Sequence, residues 1–309
     1  MGIVVIGAVF VDIKGYPTSN FIPTGRNAGK VEHVHGGVAR NVAEDIANCE
    51  LRPTFISLVD DTGTGTDVVR KLNDHKVNTQ YIRQVRDGMG TWLVVFDNNG
   101  DVAGSISKRP IMRPLIDILE EKGDEIFANA DSVVLEVDLE KELVKKVLEL
   151  GKKHNTKLFG LVSNMSLAVQ RRDFIKQFDC TICNQLEAGI LFADDYSEKN
   201  PEELCEIISH KVSQANFPAL VVTMGGEGAV YADYTGVKGV CPPRKVQVKD
   251  TTGAGDAFCA GVAAAMTYGK TLPEAVEIGT LLAASVITST DNVCPRFMPG
   301  ELGIDVNFD

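Results

Sequence analysis

The chain is short of several things, and each shortage closes a class of function. It carries 31 Lys and Arg against 42 Asp and Glu, a formal net charge of −11. There is no basic surplus to line a nucleic-acid backbone, so nucleic acid is not an expected partner. A small anionic ligand stays open to it, because one phosphate site needs only a few backbone N–H groups and a metal ion. No apolar run is long enough to span a bilayer, and the opening MGIVVIGAVFVDIKG lacks the basic start and small-residue cleavage site of a leader. Residue six is Ile6 rather than Ser or Thr, so Gly2 heads no myristoylation signal. The expectation is a cytoplasmic protein that does not engage membranes.

Cysteine is scattered rather than paired, at Cys49, Cys180, Cys183, Cys205, Cys241, Cys259 and Cys294. Cys180 and Cys183 form a C-x-x-C, but no second pair follows at zinc-finger spacing. They lie in FDCTICNQ, which reads as a short buried strand. Residues three apart on a strand point to opposite faces, so buried free thiols are favoured over redox or metal chemistry. Three nucleotide signatures are also missing: the P-loop Gly-x-x-x-x-Gly-Lys-Ser/Thr, the His-Arg-Asp and Asp-Phe-Gly pair of protein kinases, and a Gly-x-Gly-x-x-Gly after the first strand. The last of these absences weakens a nucleotide-dependent oxidoreductase reading.

What is present is an ordinary globular composition, 44% hydrophobic and 24% charged, over 309 residues. That length supports a large core without disulfide or metal staples. Ile3–Val9 is a β-branched run that predicts a buried strand. From Val38 the apolar period changes: Val38, Val42 and Ile46 step by four beside Ala39, Ala43 and Ala47, which predicts a helix opening after Gly36-Gly37. Thr54–Val59 reads as a strand and Asp67–His75 as a helix. Further strands are expected at Ser132–Val137, Lys157–Val162, Cys180–Cys183 and Ala219–Thr223, with helices at Glu140–His154, Glu187–Leu191 and Pro201–Ala215. This alternation implies an α/β layered core with a mainly parallel central sheet, whose ligands gather at the carboxyl ends of the strands.

Two segments break the alternation. Lys14–His35 is rich in Gly, Pro, Asn and Thr, and Thr91–Phe96 with Val102–Ser107 reads as a hairpin around an Asn-Gly turn. They form either a flap over the ligand or an extension of the main sheet. The chain shows no repeat, low-complexity tract or long linker. The expectation is one domain over residues 1–309, with a small β lid from about 14–35 and 91–110.

The strongest local signal is Lys249-Asp250-Thr251-Thr252-Gly253-Ala254-Gly255-Asp256-Ala257-Phe258, followed by a small, apolar, helically spaced stretch to Met266. A glycine-rich turn opening a buried helix presents free N–H groups and the positive end of the helix dipole, which suit an anion. Asp256 beside such a hole is electrostatically awkward unless it handles a proton or faces a metal. A general base would explain it; so would a simple helix cap.

Asp-Thr-Thr-Gly-Ala-Gly-Asp-Ala-Phe resembles the C-terminal signature of the ribokinase (PfkB-type) family, and Gly36-Gly37-Val38-Ala39-Arg40-Asn41-Val42-Ala43 resembles its N-terminal one. Between them, Asn184-Gln185-Leu186-Glu187 is similar to the family's N-x-x-E and Thr223-Met224-Gly225-Gly226-Glu227-Gly228 to its T-x-G-x-x-G. The similarity runs from Ile3 to about Thr290. It implies a ribokinase-like α/β/α fold and an ATP-dependent kinase that phosphorylates a hydroxymethyl group of a small sugar or nucleoside. It assigns Asp256 as base and Gly253, Ala254 and Gly255 as anion hole. It gives Asp12, Gly36, Gly37, Asn41 and Glu136 to the acceptor, and Asn184, Thr223, Gly225, Gly228 and Thr252 to the nucleotide. Asn184 and Glu187 would organise Mg²⁺ through water, in keeping with that ion's preference for waters and few carboxylates. Asp250 matches a position where K⁺-activated members hold the ion, and a homodimer through the lid is implied.

Gly29-Lys30-Val31, His35 through Asn41, and the opening Ile6-Gly7-Ala8 with Val11-Asp12 and Gly15-Tyr16 resemble the pseudouridine kinases. Arg40 before Asn41 departs from the usual ribokinase form, where that place is small. Ser107-Lys108-Arg109-Pro110 departs from the acidic, Met-containing lid segment of pseudouridine kinases. The expected acceptor is ribose-like, with pseudouridine the leading single candidate and a ribokinase- or fructokinase-type free-sugar kinase behind it. A base would be read by Lys108 and Arg109. A non-catalytic sugar or nucleotide sensor on the same fold is the other class of reading; retention of Asp256 with Gly253 and Gly255 speaks for catalysis. His33 and His35, beside Gly36, are expected on the lid rather than in the acceptor site.

Overall fold

The computed structural model describes residues 2–306. In chain order the strands are β1 (Ile3–Ile6), β2 (Phe10–Pro17), β3 (Gly29–Gly36), β4 (Thr54–Val59), β5 (Asn78–Gln84), β6 (Gly90–Phe96), β7 (Val102–Lys108), β8 (Ser132–Glu136), β9 (Lys157–Leu161), β10 (Cys180–Asn184), β11 (Ala219–Thr223), β12 (Ala229–Asp233) and β13 (Lys238–Cys241). The helices are α1 (Val38–Asn48), α2 (Gly63–Asp74), α3 (Arg113–Asn129), α4 (Lys141–His154), the single turns α5 (Met165–Ala168) and α6 (Arg172–Ile175), then α7 (Gln185–Phe192), α8 (Pro201–Ala215), α9 (Ala254–Thr267) and α10 (Leu272–Val286).

Nine strands make the large sheet in the order β13-β12-β11-β10-β9-β8-β1-β4-β5. All its pairings are parallel except β11 with β12 and β12 with β13. Alternate residues feed two cores. Val5, Phe55, Val134, Phe159, Ile182 and Val221 pack with α1, α2, α9 and α10 on one face. Ile6, Ile56, Leu135, Leu158, Leu220 and Val222 pack with α3, α4, α7 and α8 on the other. Helices on both faces give the ribokinase-like α/β/α layering. Cys180 and Cys183 enter opposite cores, as their spacing requires.

The first strand ends at Ile6 rather than Val9 because the chain turns at Gly7, where a Cβ would stand 2.8 Å from Glu136 Oε2. Lys14–His35 is more regular than its composition suggests: β2 and β3 pair antiparallel from Phe10↔Gly36 to Pro17↔Gly29, leaving only the stretch 18–28 as a turn. The Asn-Gly hairpin is present as β6 and β7, and β6 runs parallel to β2. Together they form a separate four-stranded sheet, β3-β2-β6-β7, instead of extending the large one.

Helices α9 and α10 meet almost backbone to backbone: a Cβ on Gly261 would lie 2.8 Å from Gly279 Cα. This contact and the buried run Ala257–Ala265 hold the start of α9 firmly against the sheet. Among the described residues no helix is long and apolar enough to cross a membrane.

Candidate active site

The site gathers at the carboxyl ends of β1, β8, β10 and β11, where α1, α7 and α9 begin. Gly37 has φ +101°, and a Cβ there would come within 2.6 Å of the Ala8 carbonyl oxygen and 2.9 Å of the Phe10 nitrogen. Only glycine lets the chain close onto the β1–β2 turn and open α1 at that point. Gly36 leaves room for a carboxylate, since its Cβ would stand 2.6 Å from Asp12 Oδ2. At the other opening Gly253 has φ +83°, and a Cβ there would collide with the Asn292 carbonyl. The next residues, Ala254, Gly255 and Asp256, form the first turn of α9. The first N–H groups of a helix have no intrahelical acceptor and face outward with the positive dipole end. Gly255 is exposed, with open space where its Cβ would be.

Asn41 and Asp256 meet here across most of the chain: Asn41 Nδ2 donates to Asp256 Oδ2 at 2.7 Å. The Asn41 oxygen accepts from Arg40 Nη1 at 2.6 Å and from Asn292 Nδ2 at 3.2 Å. Asn292 also donates to the His35 carbonyl at 3.0 Å. Arg40 is held by Glu44 at 2.7 Å, one helical turn on. Desolvation pushes the Asp256 carboxyl up to about 7, helped by the nearby Asp12 charge and opposed by the Asn41 N–H and the Arg40 charge. Asp12 is also raised, by desolvation that outweighs Lys14 and Arg40.

Glu136 stands behind this group. Its Oε2 accepts from the Ala8 N–H at 3.1 Å and its Oε1 from Ser163 Oγ at 3.0 Å, and the residue is only 3% exposed. Both oxygens are engaged by protein, so its direct effect is to hold the turn that follows β1. Desolvation and the neighbouring Asp138 raise its carboxyl. Asp138 takes the Arg109 guanidinium at 2.5 Å. Lys108 instead pairs with Asp87 and is exposed. His35 is half-buried on β3, with Nε2 3.4 Å from Asp67, and His33 is exposed on the same strand.

Across the cleft, Asn184 and Thr223 stand in register at the ends of β10 and β11. Asn184 and Glu187 form a reciprocal cap: Asn184 Oδ1 accepts the Glu187 N–H at 2.9 Å and Glu187 Oε2 accepts the Asn184 N–H at 2.8 Å. Desolvation raises Glu187. Gly225 and Gly228 have φ +55° and +93°, and a Cβ on Gly228 would strike the Cys241 carbonyl. Asp250 Oδ1 accepts the Thr252 N–H at 2.9 Å. Burial pushes the Asp250 carboxyl up, but the Thr252 amide and hydroxyl, the Lys14 charge and the Thr251 amide together outweigh it and it is lowered. Among the described residues no group of three or more His, Cys, Asp or Glu is gathered to hold a metal ion.

The structure thus brings Asp12, Asn41, Gly253, Gly255 and Asp256 together. It sets Asn184 and Thr223 at neighbouring strand ends with Glu187 in the first turn of α7, and pairs Lys108 with Asp87. Two contributors escaped the sequence reading. Arg40 was visible only as a departure from a related pattern, and Asn292 sits in a polar turn with no local signal.

A layered α/β fold with such a helix start is the arrangement expected of a phosphotransferase that acts on an alcohol group. Residues 2–293 match the model of the pfkB family carbohydrate kinases, and the chain belongs to that family. It is 35% identical over 292 residues to the guanosine-inosine kinase of Exiguobacterium acetylicum, covering 94% of this chain and 95% of the relative. The pseudouridine kinase of Escherichia coli is 26% identical over 276 residues, covering 89% and 87%. In fold it is similar to the Arabidopsis thaliana ribokinase complexed with ribose and ATP, at TM-score 0.85, 21% identity and coverage of 97% and 98%.

Proposed function

We propose that this kinase transfers the γ-phosphoryl group of ATP to the hydroxymethyl oxygen of a purine ribonucleoside, guanosine or inosine, in preference to pseudouridine or a free pentose. The observation that carries this is the 35% identity to a guanosine-inosine kinase, nearly end to end. The N-terminal resemblance to pseudouridine kinases is accounted for by the ribose that both acceptors share.

In this reading Asp256 accepts the hydroxyl proton as the acceptor oxygen bonds to the γ-phosphorus. The bond from that phosphorus to the bridging oxygen breaks, and ADP leaves. The N–H groups of the Gly253–Gly255 turn face the transferring oxygens. Asp12 and Asn41 hold ribose hydroxyls in the space that Gly36 and Gly37 leave open. Thr223, Gly225, Gly228 and Thr252 line the nucleotide. Mg²⁺ neutralises charge on the phosphate oxygens when bound, and Asn184 and Glu187 would hold it through water. The donor set fits: the cap uses one Glu187 oxygen and leaves the other. Asp250, whose carboxyl is kept ionised by its amide partners, would hold K⁺.

For the base we assign Trp92. It lies directly opposite Asp12 in the β2–β6 register, so both side chains leave the same face of the small sheet. Arg109 stays at the rim beside Asp138, and Lys108 has no part. The small sheet closes over the acceptor, and its outward face, with Val31 63%, Leu93 42% and Ile106 70% exposed, receives a second copy of the chain.

The test is ADP release with guanosine, inosine, adenosine, pseudouridine, ribose and fructose as acceptors. Guanosine and inosine should show the highest kcat/KM. A higher value for pseudouridine or ribose would reject the purine reading, and no turnover with any acceptor would favour a sensor.

A further inference from the structure

A carboxamide has a donor end and an acceptor end of nearly equal shape, so its direction is set by its neighbours. Around Asn41 those neighbours come from three parts of the chain. Arg40 Nη1 and Asn292 Nδ2 both donate to Oδ1, at 2.6 Å and 3.2 Å. Were the amide turned over, its N–H₂ would face two donors and its oxygen would face the Asp256 carboxylate, and both ends would be repelled. Arg40 cannot drift: it is 4% exposed and bound to Glu44, itself 5% exposed, which faces His75 at the end of α2 at 3.4 Å. Asn292 is anchored through the His35 carbonyl, and its own carbonyl lies against Gly253.

We propose that Arg40 and Asn292 are positioning residues that lock the Asn41 amide so that it donates to Asp256, setting the direction and charge of the base. This rests on reading Asp256 as the base. Asn41 Nδ2 carries two N–H groups. One is spent on Asp256 at 2.7 Å, and the second remains for an acceptor oxygen. One locked amide therefore registers the acceptor hydroxyl against the group that takes its proton. The planar guanidinium suits the task because its fork reaches Asn41 and Glu44 together, which a lysine ammonium on one stem does not. The ionisable groups that bear on Asp256 are Arg40, Asp12 on β2, Asp45 on α1 and Cys259 on α9. Arg40 is the cation among them, so its charge is the one that favours the ionised base.

The decisive measurement is the pH profile of kcat/KM for the acceptor, with kcat on the alkaline plateau and thermal melts to verify folding. Arg40→Met alone leaves the buried Glu44 without its close cation and only His75 at 3.4 Å, so Arg40→Met/Glu44→Leu, which removes both charges together, is the main variant. Its acid limb should move up by about one pH unit, and its plateau kcat should fall. Arg40→Lys keeps the charge but not the fork, so its limb should stay near wild type while its plateau kcat falls. Asn292→Ala, at a half-buried site, should lower plateau kcat without moving the limb. A folded double variant with the wild-type limb and plateau would overturn the proposal, as would full plateau kcat in Asn292→Ala. Asp256→Asn separates the two readings. Wild-type turnover there sinks the base assignment itself, whereas an inactive Asp256→Asn beside an unmoved double variant sinks only the role of Arg40.

Discussion

The two sides of the cleft are built differently. On the side proposed for the acceptor Arg40, Asn41, Glu44 and Asp45 are buried, and Asp256 already holds its partner at 2.7 Å. On the nucleotide side Asn184, Gly225 and Gly226 are exposed, Asn184 and Glu187 bond to each other, and residues 242–249 run exposed beside them. A pre-bonded polar cluster needs no rearrangement when the reaction begins, which is what proton transfer requires. An open face of glycines and a self-capped helix suits a ligand that brings its own charge and metal and leaves each cycle as ADP. On the proposed roles the contrast puts chemistry in the buried half and exchange in the open half, and it can be broken at either.

The largest effect should come from the buried half. Asp256→Asn cannot accept the proton and should lose ~10²–10⁴-fold in kcat with ATP binding intact, measured by single-turnover kinetics and nucleotide titration. Because only the ionised form is a base and its carboxyl sits at about 7, wild-type kcat/KM should fall about tenfold per pH unit below that point. Asp12→Ala should reduce acceptor kcat/KM by about 10–100-fold, since it leaves a substrate hydroxyl unpaired, while KM for ATP stays put. Trp92→Ala tests the rim: if the indole stacks on the base, nucleoside kcat/KM should drop about tenfold and ribose use should hardly change. Equal losses for both acceptors would refute the stacking.

A smaller effect concerns stability. The folded-state value of Asp256 is raised, so its contribution favours folding at low pH and is lost as pH rises through about 7. Removing the charge should therefore stabilise the fold above that pH, and Asp256→Asn should melt later than wild type at pH 8, by about 1–3 kcal/mol. At pH 4 the two should melt alike. The smallest expected effect on chemistry is that of Ile106→Glu on the outward face of the small sheet. On the proposed pairing of copies it should turn a dimer into monomers in sedimentation and leave acceptor specificity unchanged.

Much of this was legible in the sequence, for reasons that differ by region. The glycines at 37 and 253 announce backbone conformations that side chains forbid, and the helix starts follow from them; Gly36 instead leaves room for the Asp12 carboxylate. The inner parallel strands β1, β4, β8 and β11 are buried on both faces and show as apolar runs. β5, β12, β13, α3 and α10 were not read. In α10 the residues are apolar on nearly every side, so no polar stripe marks the helical period. The pairing of β2 with β3 was hidden because Gly, Pro and Asn in the intervening turn dominate the composition of Lys14–His35. Arg40 and Asn292 acquire meaning only through contacts between distant parts of the chain, which no local pattern encodes.

The span of those contacts bears on how the protein comes into being. Asn41 and Asp256 are 215 residues apart, and Asn292 reaches back 257 to the His35 carbonyl. Translation supplies ~5–20 residues each second, so many seconds separate the appearance of Asn41 from that of its partners. During that interval the growing polypeptide has Asn41 but lacks Asp256, the Gly253–Gly255 turn and Asn292, the groups proposed as base, phosphate turn and clamp. On the proposed roles the enzyme is switched on late in its own synthesis, and an interrupted product that stops before α9 should transfer no phosphoryl group.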